Sequence, residues 1–575
     1  MNTNNSRFQK FQTRKKGRTM NKVLKGLVAV AATAAMAVAG FAGASTAMAA
    51  EGDVTITIGS ETTPASVGDV YAGYRLFDET EATVGEKTNV AYQKRAGWAH
   101  YDKVADAIKV VDSSSTVTKD SKVDDFVDAI GKFNTDQIKK FAESLYKSLK
   151  TANVDADAIS AAVADDATST TLTGPQGYYL IVQTVAANDK GKTMSAVIVN
   201  TAGQSGVTVS PKKDTVTVSK KVQENQDGVN NPDAENWGTA ADYNIGDYVP
   251  FQLTGTLPAD YADYSSYAYT FHDTASAGLT FVNDAAHPVK VYAVNGSNKV
   301  ELKADATNGY QVLTKGISTG ETFNVKFADL KKAQAANDDT VNIDKDTKIV
   351  VEYYAQLNAN AVLGANGNPN EVYLEFSNNK YGEGTGKTEN HKVTVFTFKL
   401  EVTKYGKTDS GKEALNGAGF TLYKATKANP TDSDYTKVGG EVKNLDGNVF
   451  DFTGLDSGYY KIVETTTPKG YNTIDPITFT VTATYNSADE PGTLIDLTVT
   501  DVKVGGVASA EQTFTVNRGT GEAGTAQIKT DVVDIPGSKL PSTGGMGTVL
   551  LYVAGIAVFV LAGATLVMAL RRRNA

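Results

Sequence analysis

Along the interior of this chain, runs rich in Thr, Val and Tyr alternate apolar with polar positions and are separated by clusters of Gly, Asn and Asp. Period-two alternation predicts strands with one buried face, and the clusters between them predict turns. Residues 54–58, 215–222, 393–402 and 459–463 are the clearest such runs. Residues 101–163, which include VDDFVDAIGKFNTDQIKKFAESLYKSLK, show helical spacing and good helix formers instead, so they predict a helical insertion. Polar breaks at 210–214 and 380–391, the second rich in Gly, divide the interior into 50–212, 213–392 and 393–536, each of normal domain size. Short alternating strands cannot bury a face alone, so each piece predicts a sandwich of two packed sheets.

Several strands carry polar chemistry where the alternation demands an apolar side chain. Val216, Val218, Lys220 and Val222 share one parity, and so do Phe396, Phe398, Leu400, Val402 and Lys404. Tyr460, Ile462 and Glu464 form a third set, Tyr269, Phe271 and Asp273 a fourth, and Leu374, Phe376 and Asn378 a fifth. Burying a charge alone is costly, so these groups are expected to be paired or neutral. Low dielectric disfavours both charges of a lysine and a carboxyl, which leaves a nucleophilic amine beside a protonated acid.

The two ends differ from the interior. Residues 1–49 read as a secretory signal: a basic leader, an apolar run after Lys25, and an Ala47-Met48-Ala49 cleavage site. At the other end, residues 537–575 hold Leu540-Pro541-Ser542-Thr543-Gly544, an uncharged stretch over 546–570 long enough to span a bilayer, and Arg571-Arg572-Arg573. That ordered triple resembles the cell-wall sorting signal of Gram-positive surface proteins. The resemblance implies that a sortase cleaves after Thr543 and transfers it to an amine.

The stretch 459–471, YYKIVETTTPKGY, resembles the E-box of Gram-positive pilins, carried on a collagen-adhesin B-type (CnaB) domain. In that family a glutamate promotes a spontaneous amide between a lysine on the first strand and an Asn or Asp on the last. The resemblance maps these roles onto Glu464, onto Lys404, which is followed by the family-like GAGFTLYK over 417–424, and onto Asp534, with Asn517 in reserve. The sequence around 269–281 and 373–379 resembles the middle domain of the same pilins, which implies an amide between Lys220 and Asn378 promoted by Asp273. A bulge would substitute Lys221 or Asn379. The first piece offers no equivalent triad. Val207-Thr208-Val209-Ser210-Pro211-Lys212 resembles the pilin motif, although Ser210 stands where tyrosine is common. This makes Lys212 the amine that receives Thr543, with Lys213 its rival.

Composition narrows the class. There is no Cys, which excludes disulfides and thiolate metal sites, and the four His are scattered. Residues 342–346 alternate oxygen ligands but lack the Gly and terminal Glu of a calcium loop, so no metal and no cofactor is expected. The net charge is −9, yet eight basic residues lie in 1–50 and three in 546–575 with no acid in either; without them 45 basic side chains face 65 acidic ones. An acidic interior opposes nucleic-acid binding.

The fold expected is therefore mainly β, with tandem immunoglobulin-like (Cna A/B-type) sandwiches and a helical insertion in the first. The resemblance as a whole implies the major subunit of a sortase-assembled fimbria on a Gram-positive cell surface, not an enzyme, that supports adhesion to host or other cells. Its implied partners are pilin-polymerising and housekeeping sortases, identical subunits, minor pilins and peptidoglycan. The competing reading is a singly wall-anchored adhesin or minor basal pilin that does not polymerise.

Overall fold

The computed structural model describes residues 53–538 apart from 85–86, 187–189, 195, 202–203, 205, 211–212, 226–236, 383, 487, 489 and 519–526, together with 556, 558 and 561–569. The signal segment 1–49, Lys212 and the sorting motif Leu540–Gly544 lie outside the described residues, as does most of the stretch expected to span a bilayer. Among the described residues no helix is long and apolar enough to cross a membrane.

Strands dominate, arranged as three consecutive pairs of sheets. In the first domain a three-stranded sheet centred on Asp53–Ile58 faces a five-stranded sheet built on Val70–Val84 and Gly177–Val185. Between them in sequence come helices α1 (Tyr101–Val111), α2 (Val123–Gly131) and α3 (Thr135–Thr151), the expected insertion. An Asn134/Gln137 capping box starts α3: each side-chain oxygen accepts the other's backbone N–H, at 2.9 and 3.0 Å. Phe141, Leu145 and Leu149 then bury one face of α3 against α1 and the sheet. The helical pattern ends at Thr151, short of the expected 163, and Ala158–Ile159 already pairs with Val70–Val84.

The middle domain packs two seven-stranded sheets face to face. One contains Val218–Gln223, Tyr248–Gly255 and Lys348–Leu357; the other contains Tyr269–Ala275, Asn368–Ser377 and His391–Phe396. The C-terminal domain pairs a five-stranded sheet, in which Phe398–Thr408 lies parallel to Ile528–Asp534, with a seven-stranded sheet carrying Gly419–Ala425 and Gly458–Thr466.

Two boundaries depart from the sequence expectation. The alternating run 393–402 is not one strand: His391–Phe396 belongs to the middle domain and Phe398–Thr408 to the next, so the chain changes sheets at the buried Thr397. The apolar parity shifts by one residue at the crossing: Val393 and Val395 face the middle-domain core, whereas Phe396, Phe398 and Leu400 face the C-terminal one. Residues 380–391 are not a free linker either. Lys380 bonds Glu143 and Asp260 at 2.5 and 2.6 Å, Tyr381 enters the helical core of the first domain, and Thr385–Lys387 pairs with Asn368–Ser377.

Candidate functional site

In the middle domain the parity of the first strand holds: Val216, Val218, Lys220 and Val222 are all buried while Lys221 is exposed. Lys220 therefore reaches across the sandwich. Its Nζ donates to Asp273 Oδ2 and, at 2.7 Å, to Asn370 Oδ1. Tyr353, from the sheet that holds Lys220, donates its hydroxyl to Asp273 Oδ2 at 2.8 Å and accepts from Asn370 Nδ2 at 2.9 Å. The four side chains thus close a ring in which every link is a hydrogen bond. The rings of Phe251 and Tyr353 stand 5.6 and 5.5 Å from Nζ and wall the centre off from water.

Burial pushes Lys220 down to about 8, although the Asp273 charge works against the shift. It also raises Asp273, against the opposing pull of Lys220 and the Tyr353 hydroxyl. Both groups are driven toward their neutral forms, as desolvation requires.

Asn378 is not at this centre. Antiparallel register sets Asp273 opposite Val372 and Ala275 opposite Asn370, which brings Asn370 diagonally beside Asp273. Asn378 shares the inward parity but lies eight residues further on, about 26 Å along an extended strand. It sits instead where its carbonyl accepts from Met194 of the first domain. Asn379 accepts from Tyr381 N at 3.0 Å and is equally remote. Alternation gives the face of a strand but not the position along it; Asn368 and Asn370 on the Asn368–Ser377 strand share the inward parity of Asn378 and were the signal overlooked. Tyr353, also missed, lies on the inward parity of Lys348–Leu357.

In the C-terminal domain Lys404, Glu464 and Asp534 meet, with no side-chain exposure. Lys404 Nζ donates to Asp534 Oδ1 and lies 2.9 Å from Glu464 Oε1; the Phe420 ring is 5.3 Å away. Glu464 Oε2 accepts from Ile474 N at 3.1 Å, which fixes its carboxyl in place. Burial pushes Asp534 up to about 6, against the Lys404 charge and with that of Glu464. The reserve acceptor Asn517 is exposed. Gly406, opposite Asp534, has no room for a side chain: a Cβ there would stand 2.7 Å from the hydroxyl of Tyr471, the tyrosine that ends the E-box-like stretch.

These centres can carry the same chemistry with different leaving groups. Attack of a neutral Lys404 amine on Cγ of Asp534 forms an amide and releases water, with Glu464 placed to carry the proton. Attack of Lys220 on Cγ of Asn370 releases ammonia. Asp273 can take the amine proton and return one through Tyr353 to Nδ2, so the ring of hydrogen bonds is also a proton path.

The first domain shows a simpler arrangement. Lys213 pairs with Asp69 at 2.5 Å with both side chains buried, and Tyr71 donates to the same carboxyl at 3.2 Å. Lys213, the rival of Lys212, is thus engaged in an internal ion pair. No group of three or more acidic or histidine side chains suited to a metal occurs among the described residues.

Residues 399–490 match the family model described as SpaA: Prealbumin-like fold domain. The chain is 26% identical over 421 residues to the trypsin-resistant surface T6 protein of Streptococcus pyogenes serotype M6, a match covering 64% of this chain and 71% of the relative. Among solved structures, the T6 backbone pilin of serotype M6 Streptococcus pyogenes matches at 15% identity and a TM-score of 0.47, covering 84% of this chain and 99% of its own. The full-length major pilin SpaD from Corynebacterium diphtheriae matches at 16% identity and a TM-score of 0.43, covering 85% and 98%.

Proposed function

We propose that this chain is the shaft-forming subunit of a covalently polymerised fimbria on a Gram-positive surface. A sortase joins Thr543 of one subunit to Lys212 of the next, and amides from Lys220 to Asn370 and from Lys404 to Asp534 stiffen each link. The observation that carries this reading is the repetition of one device in two consecutive domains: an inward lysine from the strand by which the chain enters, an acceptor in contact with it, and a separate carboxyl to move the proton, all in a dry core.

The device suits a load-bearing strut. Tension between Lys212 and Thr543 enters the C-terminal domain at its first strand and leaves by its last. A bond from Lys404 to Asp534 removes the 130 intervening residues from that path. A bond from Lys220 to Asn370 removes 150 in the middle domain. The first domain, upstream of Lys212, carries no tension in this scheme. Its buried Lys213–Asp69 pair supports Lys212 as the free amine. The name of the relative, a trypsin-resistant surface protein, is consistent with a chain held closed by such bonds. The amide chemistry is performed once, by each subunit on itself. The assembled shaft extends from the wall and supports adhesion.

The test is an immunoblot of cell-wall extract. Wild-type chain is expected as a ladder of high-mass species, and Lys212→Ala as monomer alone. A single anchored band from the wild type would favour the non-polymerising adhesin or basal subunit, and an undiminished ladder from Lys212→Ala would move the acceptor elsewhere.

A further inference from the structure

A further buried lysine lies where the middle and C-terminal domains meet. Lys424 is the penultimate residue of the Gly419–Ala425 strand, and its Nζ contacts Asp456 Oδ1, with side-chain exposures of 7% and 1%. The lysine stem crosses over Gly458, where a Cβ would stand 2.5 Å from its Cε, so the approach depends on a residue without a side chain. The middle domain closes the site. Asn225 donates to Asp456 Oδ2 at 2.7 Å, and Asp242 accepts from the N–H and hydroxyl of Ser457 at 2.6 and 2.5 Å. Glu224 in turn accepts from Asp242 N at 3.0 Å. Burial raises both Asp242 and Glu224, so desolvation at this seam favours the protonated form of each acid.

We propose that Lys424 and Asp456 form a third internal amide, which extends the cross-linking reading given above to a position off the first and last strands. A proton moves from the Lys424 ammonium to the Asp456 carboxylate. The neutral amine then attacks Cγ, the C–N bond forms, and the C–O bond breaks. The hydroxyl leaves as water with one of the two amine protons, the other staying on the amide nitrogen, and the buried Asp242 carboxyl is the nearby acid that can relay the transferred proton. The balance is one amine and one acid in, one amide and one water out, with no redox partner. Because Asp242 and Asn225 belong to the middle domain, the bond forms only when the two domains are docked, and it records that docking covalently.

The experiment is a denatured tryptic digest of the secreted wild-type chain, mapped by tandem mass spectrometry. The expected product is a branched peptide joining the segments that contain Lys424 and Asp456, uncleaved after Lys424 and lighter by one water. Asp456→Asn preserves the shape of the acceptor and is expected to lose ammonia in place of that water; an unchanged loss of water would overturn the assignment. Cleavage after Lys424, with branched peptides still present at Lys220 and Lys404, would overturn this inference alone. Cleavage after all three lysines would overturn the broader reading as well.

Discussion

The middle and C-terminal domains hold the same chemical device in two different orientations. In the middle domain Lys220 lies on one sheet while Asn370 and Asp273 lie on the other, so an amide there staples the two faces of the sandwich together. In the C-terminal domain Lys404 and Asp534 occupy neighbouring parallel strands of one sheet, and only Glu464 comes from across the core. A bond there clamps the entering strand directly to the leaving one. The difference teaches that the chemistry needs only three groups meeting in a dry core; which strands supply them decides how much chain stays under load. In the proposed shaft the 371–396 segment of the middle domain would stay in the path of tension beyond Asn370, whereas past Asp534 only the short pairing of residues 535–537 with 470–472 would remain in the C-terminal domain.

Removing the proton-carrying acid should show the largest effect. Closing loops of 130 and 150 residues is worth about 5 kcal/mol each by loop entropy. Glu464→Ala and Asp273→Ala are each expected to lower the melting temperature of their own domain by roughly 10–20 °C in calorimetry. Equal melting of variant and wild type would show that no bond had formed. The same comparison locates the middle acceptor. Asn370→Ala should abolish one loss of ammonia and produce a similar destabilisation, while Asn378→Ala should keep the ammonia loss in the intact mass.

A smaller effect depends on pH. In Asp273→Ala, Lys220 remains an unbonded amine. Burial holds this amine at about 8 even with the Asp273 charge present, against 10.5 in an unfolded chain. The folded variant therefore binds fewer protons than the unfolded chain between those values, and its stability rises with pH across the window. The gain is about 3 kcal/mol, at roughly 1.4 kcal/mol per pH unit. Wild-type protein, with Lys220 consumed in the proposed amide, should show no such rise in denaturant titrations from pH 8 to 10.5. Smallest is Tyr353→Phe, which breaks the proton path to the leaving amide nitrogen but leaves Lys220 and Asp273 in place. Ammonia loss should slow by roughly 10-fold or more in time-resolved mass spectra, while the fold survives.

The contrast between the two domains also explains what could be read from sequence. Lys404 and Glu464 were legible from inward parity together with the resemblance to pilin domains, and Asp534 from that resemblance, which puts the acceptor on the last strand before the tail. Lys220 and Asp273 were legible for the same reason of parity. Asn370 was not: it and Asn378 share a face, and only the pairing of Asp273 with Val372 chooses between them. Register depends on long-range packing that a single strand does not encode. The crossing at Thr397 was marked only by a one-residue shift of parity between Val395 and Phe396, inside a run read as one strand, and the role of Tyr381 in the first-domain core was masked by the Gly-rich, polar residues around it. The seam at Lys424 and Asp456 could not be seen until two domains stood side by side.

The central claim is that buried lysines become amides, and peptide mapping of the secreted chain tests it most directly. Branched peptides joining Lys220 to Asn370, lighter by one ammonia, and Lys404 to Asp534, lighter by one water, are the predicted result. Trypsin cleavage after both lysines, together with an intact mass equal to the unmodified sequence, would contradict it.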